Sequence, residues 1–193
     1  MAMFSEFLPE SARTGDPEPA PAPWCTASDV ARVVGRHGWL RLESKEETPE
    51  LRAWFERAAM LLGPHVADET ELADLLTLVF HYDAREVLDS ADAPTVLARA
   101  GARAVIRELG REVLSGGAVD SDRMKEIFTR VRERSGYGGR ELCHPLRLAL
   151  AGRAGDGEMD RVILLVDAAA RLAFAARVKP TRERILEFCS QMD

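Results

Sequence analysis

The chain has 193 residues and carries 26 Lys/Arg against 32 Asp/Glu, a net charge of −6; it is 46% hydrophobic and 6% aromatic. This composition points to one or two compact, soluble helical domains. It excludes a membrane-spanning chain, because no apolar run nears the roughly 20 residues a span needs; even Val162 to Phe174 is interrupted by Asp167 and Arg171.

Residues 1–23 read as a disordered, Pro/Ala-rich segment, with Asp16-Pro-Glu-Pro-Ala-Pro-Ala-Pro23 offering no side chains for a core. The start has no basic-then-apolar secretory pattern, and the three cysteines form no Cys-x-x-Cys pair. A cytoplasmic location with free thiols is therefore expected.

From Ser28 onward the pattern is helical. Ser28 is expected to cap a segment that faces inward through Val30, Val33 and Val34. Thr48-Pro49-Glu50 starts a helix by cap, first-turn proline and acidic residue. Leu51, Trp54, Phe55, Ala58, Leu61 and Leu62 then recur at helical spacing until Gly63-Pro64. Leu72, Leu75, Leu76, Val79 and Phe80 give the next apolar face, and Ala84 to Leu88 a short turn. Asp92-Ala-Pro-Thr is expected to open the longest helix, running through Val96, Leu97, Ala100, Ala104, Ile106, Leu109 and Val113 to Gly116-Gly117. Ser121 is expected to cap the helix of Met124, Ile127, Phe128 and Val131, with arginines on its other side. Thr181 is expected to cap a last helix with Ile185, Leu186 and Cys189. Only Trp39 to Leu42 hints at strand alternation. The expected fold is all-α: a first helical subdomain over 24–135 and a second over 136–193.

Charge is distributed unevenly. Residues 123–153 hold 8 Lys/Arg and 3 Asp/Glu, a balance of +5, whereas residues 1–122 hold 12 and 22, a balance of −10. A local basic segment on an acidic body suits selective phosphate contact and disfavours indiscriminate nucleic-acid binding, so no DNA partner is expected.

The basic segment contains Gly136-Tyr-Gly-Gly-Arg-Glu-Leu-Cys-His-Pro-Leu-Arg-Leu-Ala-Leu-Ala-Gly152. Read by itself, it is a glycine turn, a helix begun by Pro145 and one arginine, Arg147, among apolar residues. The run resembles the C-terminal anticodon-binding domain of bacterial glutamyl-tRNA synthetases, in which Gly-x-x-Gly-Lys-x-Leu-Phe-x-Pro-Leu-Arg-x-Ala-Leu-Thr-Gly is typical. Arg140 stands for the lysine, Cys143 for the phenylalanine and Ala151 for the threonine. The resemblance covers about residues 45–178. The His-Ile-Gly-His-like and Lys-Met-Ser-Lys-like signatures of the catalytic half are absent from the sequence.

The resemblance implies that Arg147 contacts the anticodon loop. Guanidinium suits that task, because it forks onto base edges or stacks on base faces. The alternative for Arg147 is an ion pair with Glu141 or Glu158 that locks the subdomains. Arg140, Arg153, Arg130, Arg134 and Lys125 are candidate phosphate contacts, against solvated surface charge. Asp156, Gly157 and Met159 fall where the family's Gly-Pro-Glu-Leu helix start approaches the anticodon; Gly157 replaces the proline and Asp156 adds negative charge.

No catalytic residue, metal site or cofactor is expected. Cys143-His144 lacks two further ligands, and His37, His65 and His81 have no metal-like spacing. The leading expectation is a non-catalytic tRNA-binding module. The alternatives are a protein-interaction module, touching a synthetase or another translation protein, and the anticodon-binding half of a split synthetase.

Overall fold

The computed structural model describes residues 25–40 and 48–192. The Pro/Ala-rich segment, Trp24 and the second half of the Trp39–Leu42 alternation lie outside these residues. The fold is all-α, with no strand among the described residues. The helices are α1 (Ala27–Arg36), α2 (Pro49–Leu62), α3 (Glu69–Phe80), α4 (Ala84–Asp89), α5 (Asp92–Leu97), α6 (Ala102–Ser115), α7 (Ser121–Ser135), α8 (Arg140–Ala151), α9 (Gly157–Ala169) and α10 (Thr181–Met192); a 3-10 turn, Gly63–His65, follows α2.

Local chemistry sets most starts. The Thr48 hydroxyl accepts the Leu51 amide, and Pro49 sits in the first turn of α2. Asp68 and Asp83 each accept two amides at the starts of α3 and α4. Three starts differ from the sequence expectation. Thr181 does not cap α10 but is its first residue: its hydroxyl donates to Asp167, and the Pro180 carbonyl accepts the amides of Glu183 and Arg184. Thr26, not Ser28, caps α1, because Asp29 three residues on completes a reciprocal capping box with it. Asp120, not Ser121, caps α7, accepting the amides of Asp122 and Arg123.

The expected long helix from Asp92 to Val113 is broken. α5 ends at Leu97 and α6 begins at Ala102. The break brings Gly101 under Tyr137, where a Cβ would lie 2.5 Å from the ring. It also rotates the pattern: Val105 is buried and Ala104 exposed. α7, with 15 residues, exceeds α6 in length.

α9 forms the centre. Met159, Val162 through Asp167 and Ala169 are buried, and the helix packs on α2, α3 and α8. Such all-round burial accounts for its near-continuous apolar run. α10 packs across α4, α6 and α8. An aromatic group seals the α1–α3 end: Trp54 meets Phe55, Phe80 and Phe174, and Trp39 stacks on Phe80 with centroids 4.6 Å apart. The Trp54 indole donates to the Leu165 carbonyl at 3.2 Å, so this core tryptophan has its polar atom satisfied.

The most deeply buried polar group is Arg184 of α10, 0% exposed. Its Nη1 donates to the carbonyls of Leu78 and Leu150, its Nη2 to Val79 and its Nε to Lys179, all at 2.7–2.9 Å. One guanidinium thus ties the last turns of α3 and α8 to α10. Its carbon lies 4.7 Å from the centre of the Tyr82 ring, and the Tyr82 hydroxyl donates to the Ala149 carbonyl at 2.6 Å. Burial pushes the Arg184 pKa down to about 10 and the Tyr82 phenol well up. Arg184 stays charged at neutral pH.

Candidate nucleic-acid interface

Glycines frame α8. Gly136 ends α7 in the left-handed region, and Gly139 precedes α8 at φ 56°, ψ −135°, a combination open to glycine alone. The Gly139 carbonyl accepts from Leu142 and Cys143, so α8 starts at Arg140. Pro145 therefore lies inside the helix rather than at its start. It offers no N–H to the Glu141 carbonyl, and Glu141 is exposed, where water is available to it. Leu142, Leu146, Ala149 and Leu150 are buried.

The polar stripe of α8 is Arg140, His144 and Arg147, at i, i+4 and i+7. Arg147 makes a bidentate fork onto Asp160 of α9, with Nε to Oδ1 and Nη2 to Oδ2 both 2.8 Å, and its Nη1 donates to the Gly155 carbonyl at 3.0 Å. Its side chain is 11% exposed. The hydrogen bonds it donates to Asp160 hold its guanidinium above the usual arginine range. The partner is Asp160, not Glu141 or Glu158; Glu158 instead accepts the Asp156 amide. Three of the five guanidinium N–H groups are committed, leaving two.

His144 is half-buried beside this pair. Burial, then Arg99, Arg147 and Arg140, hold its pKa below the usual range, with Asp156 opposing. Three arginine charges and one carboxylate, Asp156, thus act on the same half-buried imidazole. Arg99 escapes the sequence reading because it reaches this face only by the packing of α5 on α8, and His144 enters that reading only as a metal ligand.

The other predicted positions divide. Arg140 and Arg153 are exposed and make no ion pair among the described residues, but they stand at opposite ends of α8, roughly 18 Å apart along its axis. Arg130 and Arg134 are turned to α6, where both reach Glu112, at 3.2 and 2.9 Å. Arg123 reaches the same buried carboxylate. Lys125 pairs with Asp122 at the exposed start of α7. Asp156 precedes α9 without a capping bond from its side chain, and Gly157 faces open space. Met159 is 1% exposed and belongs to the core under this turn.

A groove runs along α7. One hollow of about 380 Å³ is lined by Met124, Lys125, Phe128, Asp160 and Arg161 among others; a second, of about 320 Å³, by Phe128, Thr129, Arg132, Gly138, Gly139 and Leu142. They share Phe128 and Thr129. An aromatic ring between cations, with a carboxylate acceptor alongside, has the elements that hold unstacked bases.

Residues 29–168 match the family described as the anticodon binding domain. The chain belongs to that family. Among curated proteins, glutamate–tRNA ligase 2 of Syntrophus aciditrophicus (strain SB) is 28% identical over 123 residues, which cover 64% of this chain and 24% of that protein. The chain thus spans about a quarter of the length of this relative. No solved structure matches. α10, with Arg184, lies beyond the residues matched to the anticodon-binding family, although its guanidinium joins helices inside them.

Proposed function

We propose that this anticodon-binding-family domain is a non-catalytic module that receives a tRNA anticodon stem-loop on α7, α8 and the turn before α9. The observation that carries the reading is the Arg140–His144–Arg147 stripe, bordered by Arg99, in a chain of this family. Arg140, Arg153, Lys125 and Arg132 serve the phosphates. Phe128 stacks a base in the groove, and the two free N–H groups of Arg147 meet a base edge or phosphate. Asp156, with no capping bond to keep, accepts from a base amine, beside a Gly157 that leaves room. Met159 shapes the turn from below. Arg130 and Arg134 contribute long-range positive potential while bonded to Glu112. The domain's tRNA role follows the name of its ligase relative; charging is not assigned to this chain.

One observation favours the rival protein-interaction reading: Arg147, Arg130 and Arg134 are already paired with carboxylates. Nuclease footprinting of bound tRNA separates the readings. Protection confined to the anticodon loop, weakened in Arg140→Gln and Phe128→Ala, is expected. Uniform protection or none contradicts the module. A split synthetase is tested in the same preparation by adding a catalytic chain and measuring charging.

A further inference from the structure

A second polar cleft lies at the other end of α9. Two hollows, of about 330 and 340 Å³, meet at Ala118, Asp167 and Arg171. Arg171 is 11 residues beyond Asp160, roughly 16 Å along the helix direction, so this cleft is separate from the α8 face.

Three guanidinium groups line it: Arg57 of α2, Arg171 after α9 and Arg182 of α10. Arg182 donates to the Leu114 carbonyl through Nη1. The guanidinium groups of Arg57 and Arg171 have no hydrogen-bond or ion-pair partner among the described residues. The two carboxylates of the cleft are already answered. Asp167 accepts from the Thr181 amide (2.7 Å), the Thr181 hydroxyl (2.8 Å) and the Val119 amide (2.6 Å). Asp120 is engaged by the amides of Asp122 and Arg123. Both carboxylates keep their charge, and against them stand three guanidinium groups, so the lining carries one positive charge in excess.

The remaining wall is the turn Gly116-Gly117-Ala118. None of its three consecutive amides has an acceptor among the described residues. Behind Gly116 lies the Arg123 guanidinium, so close that a Cβ would sit 2.7 Å from Nε; that Nε is itself buried without a partner. Consecutive free amides and forked guanidinium donors suit the several oxygens of a tetrahedral anion. The volume suits a small ligand.

We propose that this cleft binds a phosphate group. The chemistry is the same for a free diphosphate and for a phosphate of an RNA backbone; only the second source rests on the tRNA reading above. The Asp167 carboxylate matters here as scaffold: by accepting from Val119 and Thr181 it fixes the 119 and 181 backbones that hold the two sides of the cleft together.

The test is titration of the full chain with pyrophosphate, followed by amide NMR shifts of Gly116, Gly117 and Ala118, in wild type and in Arg57→Gln/Arg171→Gln. Both residues lie outside the core, and the melting temperature checks that the variant folds. Saturable shifts that weaken at least ten-fold in the variant are expected. A parallel titration with total tRNA distinguishes the sources: shifts with tRNA alone assign the phosphate to RNA, and shifts with pyrophosphate alone uphold the site even if the α8 face binds no RNA. Shifts with neither probe, or shifts undiminished in the variant, overturn the proposal.

Discussion

Arg147 and Asp160 join α8 to α9 through a two-point fork, Nε to Oδ1 and Nη2 to Oδ2, each 2.8 Å. The pair places the proposed RNA contact in competition with a structural bond. The two roles separate by substitution. Asp160→Asn weakens the fork but leaves the guanidinium, whereas Arg147→Ala removes both. Each is expected to cost about 2 kcal/mol of stability, as for a hydrogen bond to a charged group. Arg147→Ala is expected to weaken tRNA binding at least ten-fold, and Asp160→Asn to leave it equal or tighter. Equal weakening in both variants, measured by urea unfolding beside filter binding, would identify Arg147 as a scaffold only.

Arg184→Met is expected to be among the most destabilising single changes, by more than about 3 kcal/mol, because it strips donors from the carbonyls of Leu78, Val79, Leu150 and Lys179. Arg184→Lys recovers little, since an ammonium lacks the planar fork. Thermal unfolding of both variants checks this. A loss below about 1 kcal/mol would mean that these four carbonyls are met by water.

Gly101→Ala tests the break between α5 and α6. The added methyl meets the Tyr137 ring at 2.5 Å, so a loss of about 1 to 3 kcal/mol is expected. Pairing it with Tyr137→Ala should recover the clash component, leaving the double variant less destabilised than the sum of the two singles.

Local signals were legible. Thr48-Pro49-Glu50 starts α2 because a cap, a first-turn proline and an acidic residue act within four positions. The all-α class follows from apolar spacing alone, and the family resemblance from residues 136–152. What escaped was set by distant contacts. At the α5–α6 break Gly101 lies against Tyr137, more than thirty positions on. Arg147 takes a partner 13 residues on, in the next helix. Arg184 binds carbonyls from α3 and α8, which nothing near residue 184 announces. The stripe Arg140–His144–Arg147 did have a signal, its i, i+4, i+7 spacing, whereas Arg99 had none.

Acid is expected to destabilise the fold in two steps. The His144 pKa lies below its unfolded value of about 6.5, so its contribution is complete above that pH and declines as pH falls through it. The Thr26 bonds lower Asp29, and the Arg85 and Glu86 amides lower Asp83. Their stabilisation is present above about pH 4 and lost as pH falls through the depressed values. Urea midpoints from pH 7.5 to 2.5 check both steps: His144→Gln should remove the first, and Asp83→Asn should blunt the second. Bound phosphate beside His144 would raise its pKa, so tRNA affinity should increase from pH 7.5 to 6.

The most direct test of the account is titration of the purified chain with total tRNA at 50 mM and at about 200 mM salt, beside Arg140→Gln/Arg147→Ala. The account predicts saturable binding that falls steeply with salt, because phosphate contacts release counterions, and that weakens at least ten-fold in the variant. Absence of binding at the lower salt, or binding unchanged in the variant, would contradict it.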